Sequence, residues 1–300
     1  MGMNFFKLAA LAAGVFLCGC VQMQDNEIKS RVLEEGGTGE FKAVMVTDST
    51  IATHTVFRPQ DLSAFSKNNP MPVLVWGNGA CANSPWEHVN FLNEIASNGF
   101  LVIAIGPMPE EGKRGGGRSE SSQLIDAMDW AVAQNADKTS RYYGKLDLNN
   151  IAAAGMSCGG LQTLDICKDE RIKTMMICNS GLFKASNAAS AVPGMPMPEK
   201  ESLKDIHTPI IYILGGPTDI AYENGMDDFA NINHVPAFAA NFPVGHGGTY
   251  GQPHGGEFAV VATAWLKWQL KADAEAGAFF TGEPCGLSLR EGWTLDRKNF

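Results

Sequence analysis

Three hundred residues, 45% of them hydrophobic and 18% charged, carry enough apolar material for one large α/β core and have the balance of a globular chain rather than a fibrous or disordered one. The formal net charge is −9, and the sole local group of cations is Lys113, Arg114 and Arg118. This argues against nucleic acid as a partner, because a phosphate backbone needs a basic face.

Residues 1–19 read as an export signal. Lys7 supplies the positive head and Leu8 to Leu17 the apolar run, which is too short to span a bilayer as a stable helix. The run ends in Leu17-Cys18-Gly19-Cys20, which resembles the bacterial lipobox. Cleavage before Cys20 and acylation of its sulfur would leave an exported, membrane-anchored envelope lipoprotein; periplasmic or secreted release is the alternative. Residues 20–40 are polar, with Gly36, Gly37 and Gly39, and read as a tether. The folded domain is then expected over residues 41–300.

From Phe41 the pattern changes to strands and helices. Phe41 to Thr47 and Thr53 to Phe57 alternate as strands of a meander, and Pro72 to Trp76 is a short apolar run suited to a strand buried on both faces. The loop Gly77-Asn78-Gly79-Ala80-Cys81 follows at once. Ser84-Pro85-Trp86-Glu87 has the form of a capped helix start, with the helix running to Ser97. Phe100 to Ile105 is the next buried strand, Ser121 to Gln134 an amphipathic helix, and Ile151 to Ala154, Ile172 to Cys178 and Pro209 to Leu214 further strands. Ala237 to Pro243 and a closing helix, Glu257 to Leu270, complete the alternation. The expected fold is a single α/β domain, a mostly parallel sheet covered by helices on both faces. The long connection from Leu182 to His207 is expected to form a partial lid or an acyl-binding wall.

The chemistry centres on Gly155-Met156-Ser157-Cys158-Gly159-Gly160, which lies between a strand and a helix and so has the setting of a nucleophile elbow. An acid just past a later strand end is what such a serine needs to orient a histidine. Asp219, after Ile210 to Leu214, is the choice over Asp227 and Asp228. The base is His246, in a Gly-His-Gly-Gly loop after a strand, with His254 as the rival. The resulting order, Ser157, Asp219, His246, is that of sheet hydrolases. Two backbone N–H groups should hold an oxyanion: that of Cys158 and that of Gly79 or Ala80. No metal-ligand spacing is present and no cofactor is expected.

On these residues the span from Pro72 to Phe300 resembles the α/β-hydrolase superfamily, and within it the dienelactone-hydrolase-like and cutinase-like or polyester-hydrolase-like secreted serine esterases. Dienelactone hydrolases themselves carry a nucleophilic cysteine where this chain has Ser157. The resemblance implies a serine carboxylesterase working through an acyl-serine intermediate on a small or polymer-bound ester, with Trp76, Trp86 and Phe183 near its cleft. A peptidase or acyltransferase on the same fold, or a non-catalytic surface lipoprotein that binds glycan or lipid, are the alternatives. Cys81 and Cys158 each flank an expected oxyanion donor, and a disulfide between them is expected because it would rigidify that hole.

Overall fold

The computed structural model describes residues 1, 24–184 and 194–300; the expected export signal over residues 1–19 and Cys20 lie, Met1 apart, outside the described residues. Ten strands form one sheet in the order β1-β2-β3-β5-β4-β6-β7-β8-β9-β10. They are β1 Glu27–Arg31, β2 Ala43–Asp48, β3 His54–Pro59, β4 Met71–Gly77, β5 Leu101–Ile105, β6 Leu146–Met156, β7 Ile172–Cys178, β8 Ile210–Leu214, β9 Ala237–Asn241 and β10 Thr294–Lys298. The six strands from β5 to β9 are parallel, and antiparallel strands close both ends. β4, β5, β8 and β9 are buried along their length, as is β6 from Ile151 on, which is why they read as unbroken apolar runs rather than alternating ones.

Helices cover both faces. On one, α1 Val89–Ser97 and α5 Gly256–Lys271 pack Phe91, Leu92, Ile95, Phe258, Trp265 and Leu266 against Leu74, Trp76, Val102 and Phe238. On the other, α2 Ser122–Ala136, α3 Cys158–Asp165 and α4 Tyr222–Asn231 bury Leu124, Met128, Leu161 and Leu164 against Val73, Val75, Ile103 and Ile177, with Met226 and Phe229 packed alongside. The short α6 Ala274–Gly277 follows α5. This is a single-sheet, mostly parallel α/β architecture with the strand C-termini of β4, β6, β7 and β8 opening on one edge.

Two local expectations differ from the structure. The tether expected over 20–40 is part of the fold where it is described. Glu27–Arg31 pairs antiparallel with β2, Glu27 is ion-paired to Arg58 and Arg141, and Thr38 donates to the Glu94 carboxylate from both its N–H and its hydroxyl. An edge strand with water on its outer side carries no apolar alternation, so its polarity looked like that of a linker. The helix expected from Ser84 begins at Val89 instead, after a 3₁₀ turn at Trp86–His88; the Ser84 side chain is buried and caps nothing.

Candidate active site

β6 runs straight into α3, and the turn between them puts Ser157 at φ 53°, ψ −115°, a conformation L residues rarely hold. Four bonds fix it: Ser157 N–H donates to Cys178 O at 2.9 Å, and Ser157 O accepts from Gly160 N–H at 2.9 Å, from Leu161 N–H at 3.2 Å and from Ser180 Oγ at 2.6 Å. The motif glycines allow the close approach. A Cβ on Gly159 would sit 2.1 Å from Gly77 O, and one on Gly155 would sit 2.3 Å from Gly159 C and O. The end of β4, the end of β6 and the start of α3 therefore meet with no side chain between them.

His246 reaches this serine from the loop after β9, where Gly245 N–H bonds Gly215 O at 2.8 Å and so ties the loops after β8 and β9 together. His246 Nε2 lies 3.0 Å from Ser157 Oγ and Nδ1 lies 2.6 Å from Asp219 Oδ1. Asp219 is buried. Besides His246 it accepts from Ala221 N–H on Oδ1 at 2.9 Å, and on Oδ2 from Gly215 N–H at 3.0 Å and Asn179 Nδ2 at 2.7 Å. Burial pushes the carboxyl pKa up, but the hydrogen bonds from His246, Ala221, Gly215 and Asn179 outweigh that and leave it below the ordinary carboxylate value. An imidazole held between a buried carboxylate and a serine hydroxyl can take the hydroxyl proton as the oxygen attacks an electrophile.

Across from Ser157, the turn after β4 holds Ala80 at φ 54°. Gly79 and Ala80 line the same cavity as Ser157 and His246, a cleft of about 550 Å³. Among the described residues, the N–H groups of Ala80 and Cys158 donate to no acceptor, which leaves them open to a ligand. Cys81 and Cys158 are joined as a disulfide, with Cα atoms 5.1 Å apart, so a covalent link connects the residues that follow Ala80 and Ser157. The remaining described cysteines are buried and free. Burial raises Cys178 to about 12 and Cys167 to about 11, so neither offers a thiolate that competes with the serine.

The rival residues lie elsewhere. Asp227 and Asp228 sit on α4; Asp228 is buried and binds Leu182 N–H, the Tyr212 hydroxyl and Lys200. His254 is with Glu34 and Glu94, its Nδ1 3.6 and 3.7 Å from their carboxylates. It lines a second cavity of about 580 Å³ beside α5 and α6, whose walls contain no serine or cysteine among the described residues. Of the three aromatic residues expected at the cleft, Phe183 lines it. Trp76 is fully buried beneath, against His88 and Phe91, and Trp86 is not on the cleft wall. Among the described residues no cluster of three or more His, Cys, Asp or Glu side chains could hold a metal ion.

Sequence reasoning missed Asn179. It follows β7 at φ 43°, donates to Asp219 and to Gly245 O, and accepts from the buried Tyr250 hydroxyl on Oδ1. A polar residue directly after a buried strand, on the edge where the elbow opens, is the one signal that marks it.

No curated protein matches the chain significantly. The family described as "PETase: PET hydrolase-like" matches residues 82–284, a span that includes the elbow, Asp219 and His246. With that match on an α/β sheet of this form, the chain belongs to the PET hydrolase-like family of α/β-hydrolases and is a serine ester hydrolase.

Proposed function

We propose that this enzyme is an exported carboxylesterase in which Ser157, His246 and Asp219 form the catalytic triad. Ser157 Oγ attacks the ester carbonyl carbon while its proton passes to His246 Nε2, and Asp219 holds the imidazole in the required tautomer and stabilises the imidazolium. The N–H groups of Cys158 and of Ala80 or Gly79 receive the charge that develops on the carbonyl oxygen. Losing one such donor typically costs ~10²–10³ in turnover. Collapse of the tetrahedral intermediate breaks the ester C–O bond, and the leaving alkoxide takes the proton from His246. Water then attacks the acyl-serine by the same route and releases the acid.

The observation that carries this reading is His246 placed between Ser157 Oγ at 3.0 Å and Asp219 Oδ1 at 2.6 Å. The cleft suits an extended, partly apolar ester, since Phe183, Met195, Leu161 and the exposed Ile220 line it. The family name points to an aromatic polyester, and polymer-bound esters are the proposed substrate class. We further propose that residues 1–19 direct export and that Cys20 carries a lipid anchor in the cell envelope; periplasmic or secreted release is the second possibility. The Ser157→Ala variant is expected to fold, to lose hydrolysis of 4-nitrophenyl esters and to escape labelling by a fluorophosphonate probe. Undiminished labelling in that variant would overturn the assignment of the nucleophile.

A further inference from the structure

Six of the eight arginines pair with a carboxylate, and Arg31 donates to Pro109 O. Arg118 differs: among the described residues its guanidinium makes no ion pair and no hydrogen bond, and it lines the cleft that holds Ser157 and His246. Among the described residues it is the one lysine or arginine on that wall. The acid that shares the wall, Glu87, faces Arg114 at 3.5 Å.

The backbone around Arg118 is well placed. Ala82 and Arg118 form an antiparallel bridge, Ser119 N–H donates to Cys81 O at 2.8 Å, and Asn83 N–H donates to Gly117 O at 3.2 Å. Ser119 Oγ is buried and accepts from Gln162 Nε2 on α3 at 3.0 Å. Arg118 is thus stitched to the chain that leaves the expected oxyanion turn, which is itself bonded through Cys81 to the elbow. On its other side the guanidinium lies against Gly194, where even a Cβ would come within 3.0 Å of Nε and Cζ. Gly194 itself presents no side chain to the guanidinium, and among the described residues no carboxylate is paired with it.

We infer that Arg118 forms a carboxylate subsite, and that the enzyme prefers esters whose acyl part ends in a second, free carboxylate, such as half-esters of dicarboxylic acids. This rests on Ser157 being the nucleophile. A guanidinium presents a planar fork of donors that matches a carboxylate, in a cleft whose other charged residue is already paired. Chain ends and soluble half-ester fragments of a polyester carry this group, whereas uncharged internal bonds do not. The subsite therefore favours trimming near an acid terminus over cutting at interior positions.

The test compares kcat/KM for monomethyl adipate, suberate and terephthalate with kcat/KM for the corresponding dimethyl esters. The half-ester to diester ratio is expected to fall roughly tenfold or more in Arg118→Ala, further in Arg118→Glu, and less in Arg118→Lys, which keeps the charge but loses the fork. High salt should lower the wild-type ratio and leave that of Arg118→Ala unchanged. Ratios within twofold of wild type in both Arg118→Ala and Arg118→Glu overturn the inference. Binding of adipate and terephthalate dianions, followed by calorimetry, provides a readout that needs no turnover. Binding by wild type and by Ser157→Ala, but not by Arg118→Ala, upholds the subsite even if no methyl ester is cleaved. Equal binding by all three rejects it.

Discussion

Asp219 receives four hydrogen bonds on two oxygens, and each donor comes from a different place: a loop histidine, two backbone amides and the Asn179 side chain. A carboxylate held this way below its ordinary pKa is ionised throughout the neutral range, so its own titration does not set the acidic limb of the activity profile. In Asp219→Asn an amide N–H would face His246 Nδ1 and favour the wrong tautomer. Turnover is then expected to drop by about 10³–10⁴-fold with the fold retained, measured by steady-state kinetics beside circular dichroism; a loss of less than tenfold would remove Asp219 from the proposed triad. That Ser157, Asp219 and His246 come together could be anticipated because each follows a strand, in a glycine-rich string that breaks the apolar pattern. Asn179 stands after a strand too, but nothing in Cys178-Asn179-Ser180 separates an amide that holds a carboxylate from an ordinary turn residue. Its role depends on Asp219 and Tyr250 arriving from loops 40 and 71 residues away.

At the level of elements, the Cys81–Cys158 bond joins the turn after β4 to the first residue of α3, closing a separation of 77 residues. Opening it frees the unfolded chain and also unties the two backbone amides proposed to face the oxyanion. The Cys81→Ser/Cys158→Ala double variant, or the reduced wild type, is expected to lose roughly 2–5 kcal/mol of stability. Its kcat should fall while KM changes little, because amides aimed at the transition state act on the chemical step. Coincident urea midpoints for the oxidised and reduced protein would contradict this. The pairing could be anticipated from the sequence because Cys81 directly follows one expected donor and Cys158 supplies the other with its own N–H. The start of α1 could not: Ser84-Pro85-Trp86-Glu87 has the letters of a capping box, but the Ser84 side chain is buried, packed near Gly115, and the chain needs one more turn before Val89.

Across the whole molecule, the buried histidines tie stability to pH. Burial lowers the pKa of His88 to about 3, and His54 is lowered by the same cause. A group depressed in the fold supports it fully above its unfolded value of about 6.5, and that support is lost as pH falls through the folded value. For His88 the window runs from about 6.5 down to about 3, with a slope of up to about 1.4 kcal/mol per pH unit. Its Nδ1 has no hydrogen-bond partner among the described residues, so His88→Leu removes a buried polar atom and should give a flatter stability curve in that window. Denaturant melts at pH 7, 5 and 4 measure this, and parallel curves for the two proteins would refute it. The central sheet was legible as a whole because strands buried on both faces leave continuous apolar runs; its first strand was not, because Glu27–Arg31 is held by pairing with β2 and by ion pairs rather than by apolar burial. That edge strand also sets a distance. Gln24 N–H is already bonded to Thr139 O, so a lipid on Cys20 would leave four residue steps of leash, at most about 14 Å. An enzyme moored so short could not range through the surrounding fluid; it would work as a fixture of the envelope, on esters that diffuse or adsorb to the surface where it stands.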